Sequence, residues 1–368
     1  MSANDAFQIA VLPGDGIGRE VMGPGIAVLE AAARRVGGGI SFRFDEHQAG
    51  ALTYRDTGVA LPKPALAASR EADAILLGAM GWPEIRYPDG TEIAPQLDLR
   101  FEFGLFAGVR PVRTLPSMPA VLADPRARAL DFVVIRESTE GLFASHGKGV
   151  VEEDREARDT LVITRKVCEP LFDFAFGLAR SRRKRGRKGV VTCVDKANVF
   201  ASFAFFRKIF DERAALNSDV GADHAYVDAT ALFMVRRPWE LDVLVTENMF
   251  GDILSDLGAG LMGGMGYAPS ADIGAEHAVF QPCHGTAPDI AGQGKANPTG
   301  MILSGAMMLE WLGEKHGREE AVQAAELVRT AVDRAFVGGL KPYEAGGQDG
   351  TREVTDAVLK ALGEVALD

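Results

Sequence analysis

The sequence predicts an α/β fold, and three observations carry the prediction. Short apolar runs alternate with amphipathic stretches of helical spacing along the chain. Several of those runs end on a charged or glycine-bearing turn, an arrangement that sets ligand groups beyond the strand ends of an α/β sheet. Glycine makes up 42 of 368 residues, about one in nine against an average of about 7%, with no collagen period, so the chain carries many tight turns.

The elements follow in order. FQIAVLPGDGIG reads as a strand entering a glycine-rich turn, and Glu20 to Val36 has helical spacing, with Val21, Ile26, Leu29 and Ala33 on one side. Further apolar strands are DAILLGA (73–79), DFVVI (131–135), VVTCV (190–194) and LDVLV (241–245). GVRPVRTLPSMP (108–119) and GAGLMGGMGYAP (258–269) are candidate domain crossings. The run RSRRKRGRK (180–188) reads either as a nucleic-acid patch or as the solvated C-terminal end of a helix, where cations suit the dipole.

Composition bounds the function. At roughly 150 residues per domain the length suits two domains. A net charge of −11 argues against bulk nucleic-acid or anionic-membrane binding, while leaving room for a local basic pocket. Three cysteines without CxxC spacing (Cys168, Cys193, Cys283) predict reduced thiols rather than a disulfide framework or structural zinc. No uncharged apolar run reaches about 18 residues and the start has no basic n-region, so a cytoplasmic protein is expected. The histidines show no HxxxH spacing and no GxSxG elbow occurs, which demotes zinc and serine hydrolysis.

Acids, arginines and one lysine supply the candidate chemistry. In ENMFGDILSD, Asp252 and Asp256 are four apart and share one face of a helix, where like charges repel. A divalent cation would resolve that repulsion, and a solvated pair is the other reading; the neighbours Phe250, Ile253, Leu254 and Leu257 predict burial. Asp228, after HAYV, is a third candidate acid. Arg100, Arg110 and Arg136 could clamp a di- or tricarboxylate with their planar forks, or form internal salt bridges. Lys196, after a strand in VDKANV, is a candidate base or a plain surface lysine.

Two glycine-rich loops differ in information. LPGDGIG matches neither GxGxxG nor a P-loop. HGTAPDIAGQGKANP (284–298) is too polar for a core strand; its Asp289 could accept hydrogen bonds from a ribose diol and would repel a 2′-phosphate, favouring NAD over NADP. The other reading of that segment is a structural loop capping the helix after it.

Taken together, IAVLPGDGIG, VRP, VIRESTEG, VDKANV, TENMFGDILSD, HGTAPDIAGQGKANP and GTRE (350–353) resemble the isocitrate/isopropylmalate dehydrogenases, a family of β-decarboxylating enzymes, over nearly the whole chain. The resemblance implies a two-domain isopropylmalate-dehydrogenase-like α/β fold that is not a Rossmann domain, with mixed sheets flanked by helices. It implies a large cofactor-binding domain of residues 1–105 and 265–368, and a small domain of 106–264 carrying much of a homodimer interface. It further implies that Arg100, Arg110 and Arg136 hold substrate carboxylates, that Asp228, Asp252 and Asp256 bind Mg²⁺ or Mn²⁺, and that Lys196 is catalytic. Lys196 and Asp228 would be lent by the neighbouring subunit. NAD would lie along His284, Gly285, Thr286, Ala287, Asp289, Ile290 and Asn297, NADP users tending to Lys-Tyr where this chain has Asp289-Ile290.

The chain departs from the family at several places. The family tyrosine that protonates C3 falls seven residues after the third arginine, here Phe143. Water, Lys196 or His146 could protonate instead, or the chain could be a non-catalytic regulatory subunit; the intact lysine and aspartates favour an enzyme. Isopropylmalate enzymes tend to have a glutamate and two leucines where this chain has Ile93, Gln96 and Leu97, and Gly108 replaces a frequent asparagine. RESTEG is similar to the malate/tartrate branch, VDKANV and FGDILSD to the isopropylmalate branch. The expected substrate is 3-isopropylmalate, with (R)-malate or tartrate next.

Overall fold

The computed structural model describes residues 6–37 and 39–366; residues 1–5, 38 and 367–368, which the expected large domain includes, lie outside them. In chain order the elements are β1 (Phe7–Gly14), α1 (Ile17–Arg35), β2 (Phe42–Glu46), α2 (Ala51–Thr57), α3 (Lys63–Glu71), β3 (Ala74–Ala79), α4 (Pro95–Glu102), β4 (Ala107–Arg113) and β5 (Asp131–Glu137). Then follow β6 (Val150–Glu152), β7 (Glu156–Arg158), α5 (Arg165–Lys184), β8 (Val190–Asp195), α6 (Ala201–Leu216), β9 (Gly221–Tyr226), α7 (Val227–Arg236), β10 (Val243–Thr246) and α8 (Asn248–Met262). The chain closes with β11 (Pro269–Ile273), β12 (Ala278–Pro282), α9 (Thr299–His316), α10 (Glu319–Val337) and α11 (Thr351–Glu364).

Ten strands form one mixed sheet in the order β2-β1-β3-β12-β11-β4-β5-β10-β8-β9. Two four-stranded parallel blocks, β2-β1-β3-β12 and β5-β10-β8-β9, lie at its two ends. Antiparallel β11 and β4 join them. Central strands such as AILLGA and VLVT are buried at every position, as parallel strands covered on both faces require. β6 and β7 form a separate antiparallel ribbon whose residues are all exposed. The two Gly/Pro-bearing candidate crossings are a central strand and the end of a helix: the first contains β4, and the second the C-terminal half of α8 with its left-handed stop at Gly263.

The basic run 180–188 is the C-terminal end of α5 and the turn after it: Arg182, Arg183 and Lys184 lie in the last turn and residues 183–188 are exposed, as the helix-end reading expects. Arg182 is nearly buried between Asp131 and Asp242, and Lys188 donates to Glu240 O. Arg185 pairs with Glu310 on α9. Cations cluster there because several strand and helix ends present acids to them. Among the described residues no helix is long and apolar enough to cross a membrane.

Candidate active site

The sheet register builds the first half of the site. One row runs across four strands: Asp272 on β11 is paired with Gly108 on β4, Gly108 with Arg136 on β5, and Arg136 with Thr246 on β10. Arg110 follows two residues along β4, on the same face as Gly108. Arg100 comes from α4, not from a strand, and is brought to the same carboxylate. Arg100 Nε donates to Asp272 Oδ2 at 3.1 Å, and Arg110 Nη2 to Asp272 Oδ1 at 3.0 Å. Arg136 Nε donates to Asn248 Oδ1 at 2.9 Å, and its Nη1 pairs with Asp252. All three guanidiniums are buried, at 7, 6 and 4% exposure.

Electrostatics in this corner are strong. Burial pushes the Asp272 carboxyl up, but Arg100 and Arg110 outweigh it and hold the group at about 2. Arg136 is lowered to about 10, first by burial and then by Arg100 beside it, and stays charged at neutral pH. Three guanidiniums face Asp272 and Asp252, with Asp256 and Glu247 also within their field. Internal salt bridging is what the fold shows at this corner, and guanidinium forks gathered in one place are chemically suited to a carboxylate. The Phe143 ring lies against this corner, its centroid 5.2 Å from the Arg136 guanidinium carbon, while His146 is exposed.

The acids divide into two groups. Glu247 caps α8, accepting from Met249 N and Phe250 N, and so sets the helix that carries Asp252 and Asp256. The expected burial holds at Leu254 and in part at Phe250 and Leu257, and fails at Ile253 and the two aspartates. Asp252, Ile253 and Asp256 are exposed, because α8 turns Leu254, Ser255, Gly258 and Ala259 inward instead. Asp256 is pushed up by partial burial and by the charge of Asp252. Lys196, just past β8, donates from Nζ to Asp228 Oδ1 at 2.8 Å; Asp228 sits exposed in the first turn of α7, its carboxyl held down by that bond. Within one chain Asp228 does not join Asp252 and Asp256: among the described residues no three His, Cys, Asp or Glu gather to hold a metal. The chemistry of Asp252 and Asp256 still fits a hard cation, being two oxygen donors one turn apart that repel each other.

Residues 284–298 form a turn-rich loop after β12. His284 Nδ1 lies 2.9 Å from Gly285 O, and its Nε2 is buried without a hydrogen-bond partner. Burial lowers the His284 pKa, favouring the neutral ring. Thr286 O accepts from Ile17 N at 2.9 Å, and Ala287 adopts a left-handed φ of 38°. Ile290 N donates to Ala287 O at 3.2 Å, Gly285 is open, and Asp289 is exposed, its backbone O accepting from Gln293. Asn297 is mostly internal: Oδ1 accepts from Thr299 N and Oγ1 at the start of α9, and Nδ2 donates to Glu344. The capping reading thus holds at Asn297. The orphaned His284 Nε2 and the free carboxylate of Asp289 fit a polar, hydroxyl-bearing cofactor.

LPGDGIG is scaffold for this loop. Gly16 has φ +52°, and a Cβ there would meet Thr286 O at 2.0 Å. Asp15, fully buried, accepts from Ala51 N, Leu52 N and Gly81 N. Sequence reasoning missed Asp272, Glu20 and Thr351. The signal for Asp272 was a charge inside the apolar run PSADI, and Thr351 lies in the GTRE motif without a role attached to it; nothing local linked it to Glu20, far away in the chain.

With this geometry in place, similarity to known proteins is informative. A family model described as isocitrate/isopropylmalate dehydrogenase matches residues 8–358. The 3-isopropylmalate/3-methylmalate dehydrogenase of Methanocaldococcus jannaschii is 41% identical over 360 residues, covering 97% of this chain and 99% of its own. The 3-isopropylmalate dehydrogenase of Anaeromyxobacter dehalogenans is 42% identical over 363 residues, covering 96% and 99%. Of solved structures, isocitrate dehydrogenase from Methylococcus capsulatus superposes with a TM-score of 0.83 at 34% identity, covering 97% of this chain and 99% of that one. The apo β-decarboxylating dehydrogenase of Thermococcus kodakarensis gives 0.79 at 36% identity, covering 97% and 96%.

Proposed function

Because the chain belongs to the isocitrate/isopropylmalate dehydrogenase family, and is thereby a decarboxylating oxidoreductase, we propose a specific reaction for it. It oxidises a malate-type 2-hydroxy acid, with 3-isopropylmalate as the substrate, NAD as hydride acceptor and Mg²⁺ or Mn²⁺ bound. The single observation that supports this best is the convergence of buried Arg100, Arg110 and Arg136 on one corner of the sheet.

The residues take these roles. The three arginines hold the substrate carboxylates, and Lys196 removes the C2 hydroxyl proton as hydride leaves for nicotinamide. Asp252 and Asp256 hold the cation together with Asp228 from a second copy of the chain. A divalent cation held by these carboxylates would supply Lewis acidity to the reacting hydroxyl. His284, Gly285, Thr286, Ala287, Asp289, Ile290 and Asn297 bind NAD, with Asp289 on the adenosine ribose. The chain divides into a cofactor domain of 1–105 with 265–368 and a domain of 106–264.

Homodimerisation belongs to the same proposal. Leu232 and Val235 on α7 and Ile253 on α8 are exposed, at 58, 47 and 62%. Apolar residues beside the Lys196–Asp228 pair and the Asp252–Asp256 face suit a second copy that completes each site.

Gln96 favours a second substrate. It lies one turn before Arg100 on α4, and its Oε1 is buried with no partner. An unpaired amide oxygen costs free energy beside an isopropyl group and gains by accepting from a hydroxyl on C3, which favours tartrate; (R)-malate avoids the isopropyl contact without supplying that hydroxyl. The test is NAD⁺ reduction with Mn²⁺ or Mg²⁺ on 3-isopropylmalate, (R)-malate, tartrate, isocitrate and homoisocitrate. Turnover with NADP⁺ alone contradicts the role of Asp289, and silence on the whole panel contradicts the proposal.

A further inference from the structure

The loop at 284–298 has little secondary structure of its own, so its shape depends on what ties it down. One end is tied by Ile17 N on Thr286 O. The other end meets two residues that the reaction does not use. Glu20, in the first turn of α1, accepts from Gly292 N through Oε2 at 3.0 Å and from Ala296 N through Oε1 at 3.1 Å. Its carboxylate also sits at the end of α1 where negative charge is favoured.

Thr351, the first residue of α11, closes the arrangement. Its backbone N donates to Gly294 O at 2.9 Å. Its Oγ1 lies 2.6 Å from Glu20 Oε1 and 2.7 Å from Ala296 O, so one proton serves two acceptors. Thr351 is 7% exposed and Ala296 1%. Three alternate loop positions, 292, 294 and 296, are thereby pinned by two residues from opposite ends of the chain.

We propose that Glu20 and Thr351 form a clasp that sets the affinity of the 284–298 loop for the dinucleotide without touching it. The inference rests on reading that loop as the NAD site. Both are positioning residues. A carboxylate is required, because each Glu20 oxygen faces an N–H donor and an amide would turn its NH₂ against one of them.

The test uses the full chain as wild type, Glu20→Gln, Thr351→Val and Thr351→Ser, with folding checked by circular dichroism. Three quantities are read: NADH affinity by fluorescence, KM for NAD⁺ against KM for the hydroxy acid, and hydrogen exchange of the amides in 284–298. Glu20→Gln and Thr351→Val are expected to weaken NADH binding about tenfold, the loss of one to two hydrogen bonds. They raise KM for NAD⁺ while KM for the hydroxy acid stays put, and they speed exchange at Gly292 and Ala296. Thr351→Ser keeps the hydroxyl and restores wild-type values. Faster exchange with unchanged NADH affinity overturns the clasp as a determinant of affinity, and unchanged exchange overturns the clasp itself. A wild type that fails to bind NADH overturns the assignment of the loop, and the clasp's role with it.

Discussion

Asp272 decides whether three arginines can share one corner. It is buried, accepts from Arg100 and Arg110, and lies in the register row that leads to Arg136. Removing its charge strands two buried guanidiniums, so Asp272→Asn should destabilise the fold by about 3–5 kcal/mol in urea unfolding. Its carboxyl titrates at about 2 in the fold, below its ordinary value of about 3.9. The group therefore adds stability above pH 4 and loses it as pH falls towards 2; wild type should weaken over that window by about 2 kcal/mol more than Asp272→Asn does. The second residue to test is Phe143, which faces Arg136 and has no proton to give. Phe143→Tyr restores a donor there and should raise the decarboxylation rate at unchanged hydride transfer. Equal rates and products in wild type and variant would sink that expectation.

Helix α8 was legible at the scale of the element, down to its acids, but its orientation was not. The spacing of Asp252 and Asp256 placed them on one face, yet whether that face is buried depends on what packs opposite, and here β5 takes the other side. Gly251 permits the approach: a Cβ on it would lie 2.6 Å from Arg136 Cβ. Gly251→Ala should push α8 away from β5, destabilise by about 1–3 kcal/mol, and raise KM for the hydroxy acid more than KM for NAD⁺. Urea unfolding and steady-state kinetics read the two effects. The LPGDGIG loop taught a similar lesson. Its glycines match no phosphate-binding pattern in the sequence, and in the fold they are consumed by Ala79, Thr286 and the amides around Asp15.

Across the whole molecule, the two parallel blocks run in opposite directions, so β11 and β4 must cross between them and bring Asp272 and Arg110 together. Beyond the site, a cavity of about 760 Å³ opens between α5, α9 and α10, floored by Leu178, Met307 and Trp311. Ion pairs bridge its rim: Arg185 to Glu310 and Arg113 to Asp333. Neither Lys196 nor Asp252 lines this cavity, so it lies apart from the candidate chemistry. In the proposed homodimer Lys196 and Asp252 act at one site from two chains. Mixing inactive Lys196→Ala with inactive Asp252→Asn, under conditions that exchange subunits, should then restore about a quarter of wild-type activity, since half the dimers are mixed and half their sites intact. No recovery from dimers shown to be mixed would place both residues in one chain's site.

By itself the sequence determined the strongly apolar strands and the first and eighth helices, the order of motifs and the identity of the charged residues, because hydrophobic period and residue chemistry are local properties; β4, with an arginine and a proline inside it, escaped that reading. VVTCV, DFVVI and the helix after TENMF needed nothing else. Tertiary structure decided which charges meet. Asp272 stands 172 residues from Arg100, and Glu20 stands 331 from Thr351. Those pairings follow from strand register and helix packing, which no local pattern encodes. The physical reason is that a buried charge is tolerated only where the fold brings it a partner. Sequence names the charges, and the fold assigns their partners.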